Sequence, residues 1–398
     1  MDIAEKKITV VGLGITGFAV AEFLAKRGAR ITAIDSAPKD TLGDLPQKLE
    51  NLGIQTDFGA HRTETFEKAD LIVLSPGVSH QLEPLNRARN LGIPIIGEIE
   101  LASRFISEPI IAVSGTNGKT TTTTLLGEML KESGFSVFVG GNIGNPLIAY
   151  ADDHKKADWL VVELSSFQLD TIDRFRPHVA VMLNITEDHM DRYPDFQAYV
   201  NAKARIFENQ LPEDIAVLNS IDPVVCKMSR LIESRKLFVC TDKSYPQHDQ
   251  EFAVIGIDPE RHSPKLSVYL KNKAPWQIEL ADFAPAGFHN LQNAAAACLS
   301  AISAGASREG IETALNKFKG LPHRLERVAT IRGVEFVNDS KATNVDAAVK
   351  AVETFSKPLI LILGGRDKEN DFSALKNSID GRVKMLVLLG EAAQKIQD

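Results

Sequence analysis

"IIAVSGTNGKTTTTTLL", residues 110–126, decides the fold. An apolar run, Ile110 to Val113, breaks into a glycine turn and resumes as "TLLGEML". A buried strand, a turn and a helix in that order form the phosphate-binding unit of α/β proteins. The spacing departs from the common loop, G-x-x-x-x-G-K-[ST]. Val113 stands where the first glycine belongs, and the glycine falls at Gly115. The loop Gly115, Thr116, Asn117, Gly118, Lys119, Thr120 and Thr121 is nonetheless expected to hold a triphosphate. Gly115 and Gly118 let the backbone turn its N–H groups toward oxygens. Lys119 supplies a mobile positive charge, and the Thr120 hydroxyl is suited to Mg²⁺. Five consecutive threonines, Thr120 to Thr124, are a costly way to start a helix, because threonine is a mediocre helix former.

A second glycine turn lies upstream, in "VVGLGITG" at residues 10–17. Gly12, Gly14 and Gly17 fit G-x-G-x-x-G between a strand and a helix, and Asp35 closes the next strand, "ARITAID". Alone, this reads as a dinucleotide site with Asp35 on a ribose. The motif requires less: a pyrophosphate at a helix N-terminus, which a UDP-linked compound also offers. "LSPGVS", residues 74–79, adds small residues at the same sheet edge, where ligands bind in open α/β sheets.

Further apolar runs, "DWLVVELSS", "PHVAVMLNI" and "IAVLNS", suit strands buried on both faces. Glu163 ends the first of them. After the second, "TEDHMD" places His189 among Glu187, Asp188 and Asp191, a metal-ligand candidate. "FHNLQNAAAACLSAISAG" reads as an Ala-rich helix closed by Gly305. "VEFVNDS", "PLILILGG" and "KMLVLLG" form a third set of strands. Lys203, on a helical stretch, reads by pattern as an ordinary solvated lysine.

Length and composition agree with several α/β domains. The chain has 398 residues, 44% hydrophobic and 24% charged, with net charge −7. The acidic balance argues against a broad nucleic-acid or membrane surface. Three cysteines without CxxC pairing point away from a disulfide framework or structural zinc. The N-terminus lacks a secretory signal pattern and no apolar stretch is long enough to span a bilayer, so a cytoplasmic, monomeric protein is expected.

"GTNGKTTTT", "GGNIGNP", "ELSSFQL", "NITEDHMDRY", "GFHNLQNAAAA", "GLPHRLE" and "NDSKATN" together resemble the Mur ligases of bacterial peptidoglycan synthesis. "NDSKATN", with "GLGITG" and "SPGV", selects the branch that adds D-glutamate. The resemblance implies an α/β protein of three domains: a Rossmann-like doubly wound domain (1–98), a central P-loop ATPase-like domain (99–320) and a C-terminal Rossmann-like domain (321–398). The last is expected to be incomplete, being shorter than a typical domain of roughly 100–150 residues.

The same resemblance implies roles. One cradle, with Gly14, Ile15, Thr16, Asp35, Ser36, Ser75, Gly77 and Asn142, is expected to take UDP-N-acetylmuramoyl-L-alanine. The other takes ATP, with Asn290 and Asn293 near adenine and Arg324 and Asp339 as nucleotide contacts. Lys341, Thr343 and Lys368 are expected to meet D-glutamate or the reacting carboxyl. Two Mg²⁺ ions are expected on Thr120, Glu163, His189 and Lys203, the lysine as a carbamate. Lys119, Glu163, His189, Lys203 and Lys341 are thereby the expected catalytic set. Three readings compete, the first being a sibling ligase that adds another amino acid. A nicotinamide dehydrogenase would leave "GTNGKT" unexplained, and a P-loop switch protein would leave the first cradle unexplained.

Overall fold

The computed structural model describes residues 1–153, 156–241, 250–258, 263–280, 283–366 and 371–398. The chain divides into two compact units. The first comprises residues 1–112, 136–178 and 202–210; the second comprises 113–135, 179–201 and 211–398.

The first unit is built on five strands: β1 (Lys7–Val11), β2 (Arg30–Asp35), β3 (Gln55–Phe58), β4 (Leu71–Leu74) and β5 (Ile95–Gly97). They pair in the order β3-β2-β1-β4-β5, all parallel. Every residue of β4, and all of β1 except Lys7, is buried, as strands covered on both faces require. Val11, Ile34, Phe66, Ile72, Leu74 and Leu85 form one core cluster. Strand order reverses between β1 and β4, so the carboxyl ends of these strands open onto the crevice typical of such sheets.

β6 (Ile110–Ser114) leads into the short phosphate loop. In the first unit β7 (Val137–Gly141) and β8 (Trp159–Glu163) pair in parallel, with Gly141 opposite Glu163. The helix Ser166–Leu169 follows and opens with a capping box in which Ser165 and Gln168 bond reciprocally.

In the second unit, β9 (Val179–Met182), β10 (Ile215–Asn219), β11 (Arg235–Thr241), β12 (Glu251–Ile257), β13 (Pro264–Tyr269) and β14 (Trp276–Glu279) pair in sequence. The first four are parallel and the last two join antiparallel. The helix Lys119–Glu132 packs against the helix Phe288–Ser303. Ala294 to Ala297 are buried there, and small side chains permit the close approach. The approach is tight: a Cβ on Gly118 would lie 2.2 Å from Asn293 Oδ1. Gly305 has φ +88° and follows that helix, as its closing glycine should.

Beyond residue 320 lie β15 (Glu326–Ile331) and β16 (Val334–Asn338), an antiparallel hairpin turning at Arg332 and Gly333. Both turn residues have positive φ, 52° and 80°, the geometry of a type I′ turn. β17 (Leu359–Gly364) and β18 (Val383–Leu389) pair in parallel. Ile360, Ile362, Met385 and Leu389 on this pair are exposed.

Candidate functional site

The first cradle lines a cavity of about 660 Å³ within the first unit. Gly14, Ile15, Thr16, Asp35, Ser36, Ser75, Gly77 and Asn142, singled out from the sequence, all line it. His61, which no motif had marked, and Gln168, within the quoted "ELSSFQL", do as well. Gly12 sits at φ +84°, and a Cβ there would approach Val78 Cγ2 to 2.7 Å. A Cβ on Gly17 would lie 1.8 Å from the Gly12 carbonyl oxygen, so the turn closes only around glycine. The Ser75 hydroxyl donates to that same carbonyl at 2.7 Å.

Asp35 has a structural task alongside the one expected of it. Its carboxylate accepts the Leu13 N–H at 2.7 Å and the Ala37 N–H at 2.9 Å. It therefore fixes the glycine turn from the neighbouring strand end. Asn142 reaches from this cavity to β8, donating Nδ2 to Glu163 Oε1 at 2.9 Å. Its backbone N–H donates to the Glu163 carbonyl at 2.9 Å. Glu163 is 2% exposed, and its Oε2 is buried without a hydrogen-bond partner among the described residues. A buried carboxylate oxygen in that state is unfavourable unless a cation meets it. In this respect Glu163 fits a divalent metal.

The second cradle belongs to the second unit. The Lys119 ammonium donates to the carbonyls of Gly115 and Thr116, at 2.9 and 2.8 Å. Asn184, just past β9, braces the loop: its Oδ1 accepts the Asn117 N–H at 2.8 Å and its Nδ2 donates to the Asn117 carbonyl at 3.0 Å. The Thr116 hydroxyl donates to the Thr186 carbonyl and meets the Tyr199 hydroxyl, both at 3.1 Å. Burial pushes the Tyr199 hydroxyl's pKa well above its usual value, so it stays protonated. Thr121 is buried, as are Thr122 and Thr123, whose hydroxyls find no partner among the described residues.

A cleft beside this loop is lined by Asn117, Gly118, Thr121, Asn290, Asn293, Arg324, Asp339 and Lys341. Asn293 donates to Asn290 Oδ1 at 3.2 Å, and Asn290 donates to the Ala286 carbonyl at 2.6 Å. The Arg324 guanidinium donates to the Thr120 hydroxyl at 2.8 Å. Burial raises the pKa of Asp339, whose Oδ1 accepts the Leu325 N–H at 3.1 Å. His289, within the quoted "GFHNLQNAAAA" but not singled out as a site residue, also lines the cleft. Burial, then the charge of Lys350, lowers its pKa to about 4, so it faces the cleft as a neutral ring.

His189 has φ 61°, uncommon for a residue with a side chain, and its Nε2 lies 3.8 Å from Asp188 Oδ2. Lys203 is 1% exposed, which corrects the pattern-based reading of a solvated lysine. A lysine that deep is costly as an isolated cation. The Lys341 backbone N–H donates to the His323 carbonyl at 3.1 Å. Thr343 precedes Asn344, the N-cap of the helix Val345–Thr354. Lys368 falls outside the described residues. Among the described residues, no group of three or more His, Cys, Asp or Glu is arranged to hold a metal ion.

Two glycine turns on α/β sheets, one of Rossmann type and one of P-loop type, each suit a phosphate-bearing ligand. Residues 6–97 match the Mur ligase MurD-like N-terminal domain, 113–301 the Mur ligase middle domain, and 323–398 the Mur ligase glutamate ligase domain. The chain is 49% identical over 397 residues to the UDP-N-acetylmuramoylalanine–D-glutamate ligase of Desulfosudis oleivorans, covering 100% of this chain and 84% of the relative. The enzyme of that name from Desulfatibacillum aliphaticivorans is 48% identical over 393 residues, 99% of this chain and 85% of the relative. The chain belongs to the Mur ligase family. Solved structures agree in fold. A pseudomurein peptide ligase type C from Methanothermus fervidus superposes with a TM-score of 0.60 at 23% identity, over 98% of this chain and 86% of that one. UDP-N-acetylmuramate-alanine ligase from Thermotoga maritima gives 0.57 at 22%, over 99% and 87%.

Proposed function

We propose that this chain joins D-glutamate to UDP-N-acetylmuramoyl-L-alanine with cleavage of ATP to ADP and phosphate, in peptidoglycan precursor synthesis. The observation that carries the reading is similarity along the whole of this chain to ligases of that name, on a chain with two phosphate cradles. A carboxylate resists attack by an amine because it lacks a good leaving group. Transfer of the γ-phosphoryl group of ATP to the L-alanyl carboxylate gives an acyl phosphate and ADP. The D-glutamate amine, having lost a proton, attacks the acyl carbon, and the tetrahedral intermediate expels phosphate as the amide forms.

In this reading the cavity of Gly14, Ile15, Thr16, Ser36, Ser75, Gly77 and Asn142 holds the UDP substrate, with Asp35 bracing its turn. The loop Gly115–Thr121 holds the ATP phosphates, and Lys119 turns from the loop carbonyls to the γ-phosphate. Asn290, Asn293, Arg324 and Asp339 surround the nucleotide, and Lys341, Thr343 and Lys368 meet D-glutamate. Glu163, Thr120, His189 and a carbamylated Lys203 are the residues that would hold two Mg²⁺ ions. When bound, such ions neutralise charge on the transferring phosphoryl group. The domains are 1–98, 99–320 and 321–398, and the protein is a cytoplasmic monomer. No described helix is long and apolar enough to cross a membrane.

Phosphate release from ATP that requires both UDP-N-acetylmuramoyl-L-alanine and D-glutamate is the decisive measurement. Turnover indifferent to either substrate would instead indicate a switch protein, and micromolar NADH binding would indicate a dehydrogenase. Gly17→Ala is expected to weaken UDP-substrate binding at least about tenfold, or ~1.4 kcal/mol, because its Cβ must displace the Gly12 carbonyl. Calorimetry checks this, and unchanged affinity would show that the turn is not the ligand's seat.

A further inference from the structure

We propose that Asn117 and Asn344 form a positioning pair that couples the phosphate loop to the segment carrying Lys341 and Thr343. The inference rests on the ligase reading above and adds residues to it.

The two side-chain amides meet head to tail. Asn344 Nδ2 donates to Asn117 Oδ1 at 3.0 Å, and Asn117 Nδ2 donates to Asn344 Oδ1 at 3.3 Å. Each amide then finds a carboxylate. Asn344 Nδ2 also donates to Asp188 Oδ2 at 3.1 Å, and Asn117 Nδ2 to Asp346 Oδ2 at 2.8 Å. Lys350 balances Asp346 at 2.7 Å. Asn344 is 7% exposed and Asp188 6%, so the bond between them lies away from water, where an unmet donor is costly, while Asn117 and Asp346 are half-buried.

Both ends of the pair are anchored to backbone. Asn344 Oδ1 caps the helix Val345–Thr354 by accepting the Ala347 N–H at 2.9 Å. The Asn117 backbone is held on both sides by Asn184. A shift of the loop at Asn117 therefore moves the start of that helix and the residues just before it. Only an amide serves at either position. An aspartate at 117 would present oxygen to Asp346 and to Asn344 Oδ1, and one at 344 would present it to Asp188.

The experiment compares Asn117→Ala, Asn344→Ala, Asn344→Ser and the double alanine variant. Serine at 344 keeps a helix-capping oxygen but loses the amide. Asn344→Ala and Asn344→Ser are each expected to raise KM for D-glutamate about tenfold with kcat within about threefold. Asn117→Ala, in the ATP loop, is expected to raise the same KM by a similar factor together with a loss in kcat, and the double variant's KM is expected to be no higher than that of either single. Affinity for the UDP substrate should stay unchanged by calorimetry. A second arm needs no ligase activity. A saturating non-hydrolysable ATP analogue should slow hydrogen exchange in residues 345–354 of the unaltered chain and leave it unchanged in Asn344→Ser. Additive KM effects, wild-type behaviour of Asn344→Ser, or an exchange response that survives Asn344→Ser would each overturn the proposal. If the unaltered chain shows no D-glutamate-dependent turnover, the ligase reading fails and the exchange arm still decides the coupling.

Discussion

Lys119→Ala is expected to lower kcat for ligation by roughly 10²–10³-fold, the usual cost of deleting one charged group aimed at a developing phosphoryl charge. The same variant should bind the UDP substrate as the unaltered chain does. The reason is structural. The ammonium's two bonds to Gly115 and Thr116 lie within its own loop, and the eight residues expected to hold the UDP substrate line a cavity of the other unit. Steady-state phosphate release gives the first quantity and calorimetry the second. A large loss of UDP-substrate affinity would mean that the two cradles are not independent. Ligation within a few-fold of normal would remove Lys119 from the chemistry.

The second large effect concerns Glu98, which no motif had marked and which is fully buried. Its Oε1 accepts the Ile148 N–H at 2.6 Å, at the start of the helix Leu147–Asp152, while its Oε2 is buried without a partner among the described residues. His80, Gln168 and Thr171 line the small space around it. Burial raises its pKa from 4.5 to about 7, against the opposing pull of the Ile148 and Leu147 N–H groups. The folded protein thus holds this proton more tightly than the unfolded chain. The stability that goes with it is fully present below pH 4.5 and is lost as pH rises through about 7. The loss approaches ~3 kcal/mol well above neutrality, as each pKa unit is worth about 1.4 kcal/mol. Glutamine keeps the acceptor for Ile148 and cannot ionise. Relative to the unaltered chain, Glu98→Gln should therefore gain about that much stability between pH 5 and pH 9. Urea unfolding across this range measures it, and the comparison cancels every other titrating group. Parallel stability curves would show that Glu98 is solvated or otherwise compensated.

The strands and both cradles were legible in the sequence because buried parallel strands read as unbroken apolar runs and glycine turns have few alternatives. β1, β4, β6, β8 and β9 all fall on such runs. β15 did not, because "ERVATI" is exposed along most of its length and carries no apolar face to find. The eight first-cradle residues gathered in one cavity because they follow strand ends of one sheet edge or, for Asn142, the end of β7. Asn184 and Asn344 sit in the quoted "NITEDHMDRY" and "NDSKATN" but were not singled out as site residues, and Glu98 lies in none of the quoted motifs. Each acts by bonding to backbone or side chains distant in the chain, and no local period or spacing records such a partner. Lys203 was misread by pattern for a related reason: its helix has no strong amphipathic stripe to say which side faces in.

The bond between Asn142 and Glu163 has a consequence in linkage. One amide lines the cavity expected for the UDP substrate and also occupies one oxygen of the carboxylate expected to bind a cation. A ligand that draws the amide away returns a full carboxylate to the metal, and one that fixes it in place leaves only Oε2. Either way, the factor by which the nucleotide-sugar changes cation affinity must equal the factor by which the cation changes nucleotide-sugar affinity. If both ligands bind as proposed, a divalent cation would act as a heterotropic effector of nucleotide-sugar binding through a single asparagine.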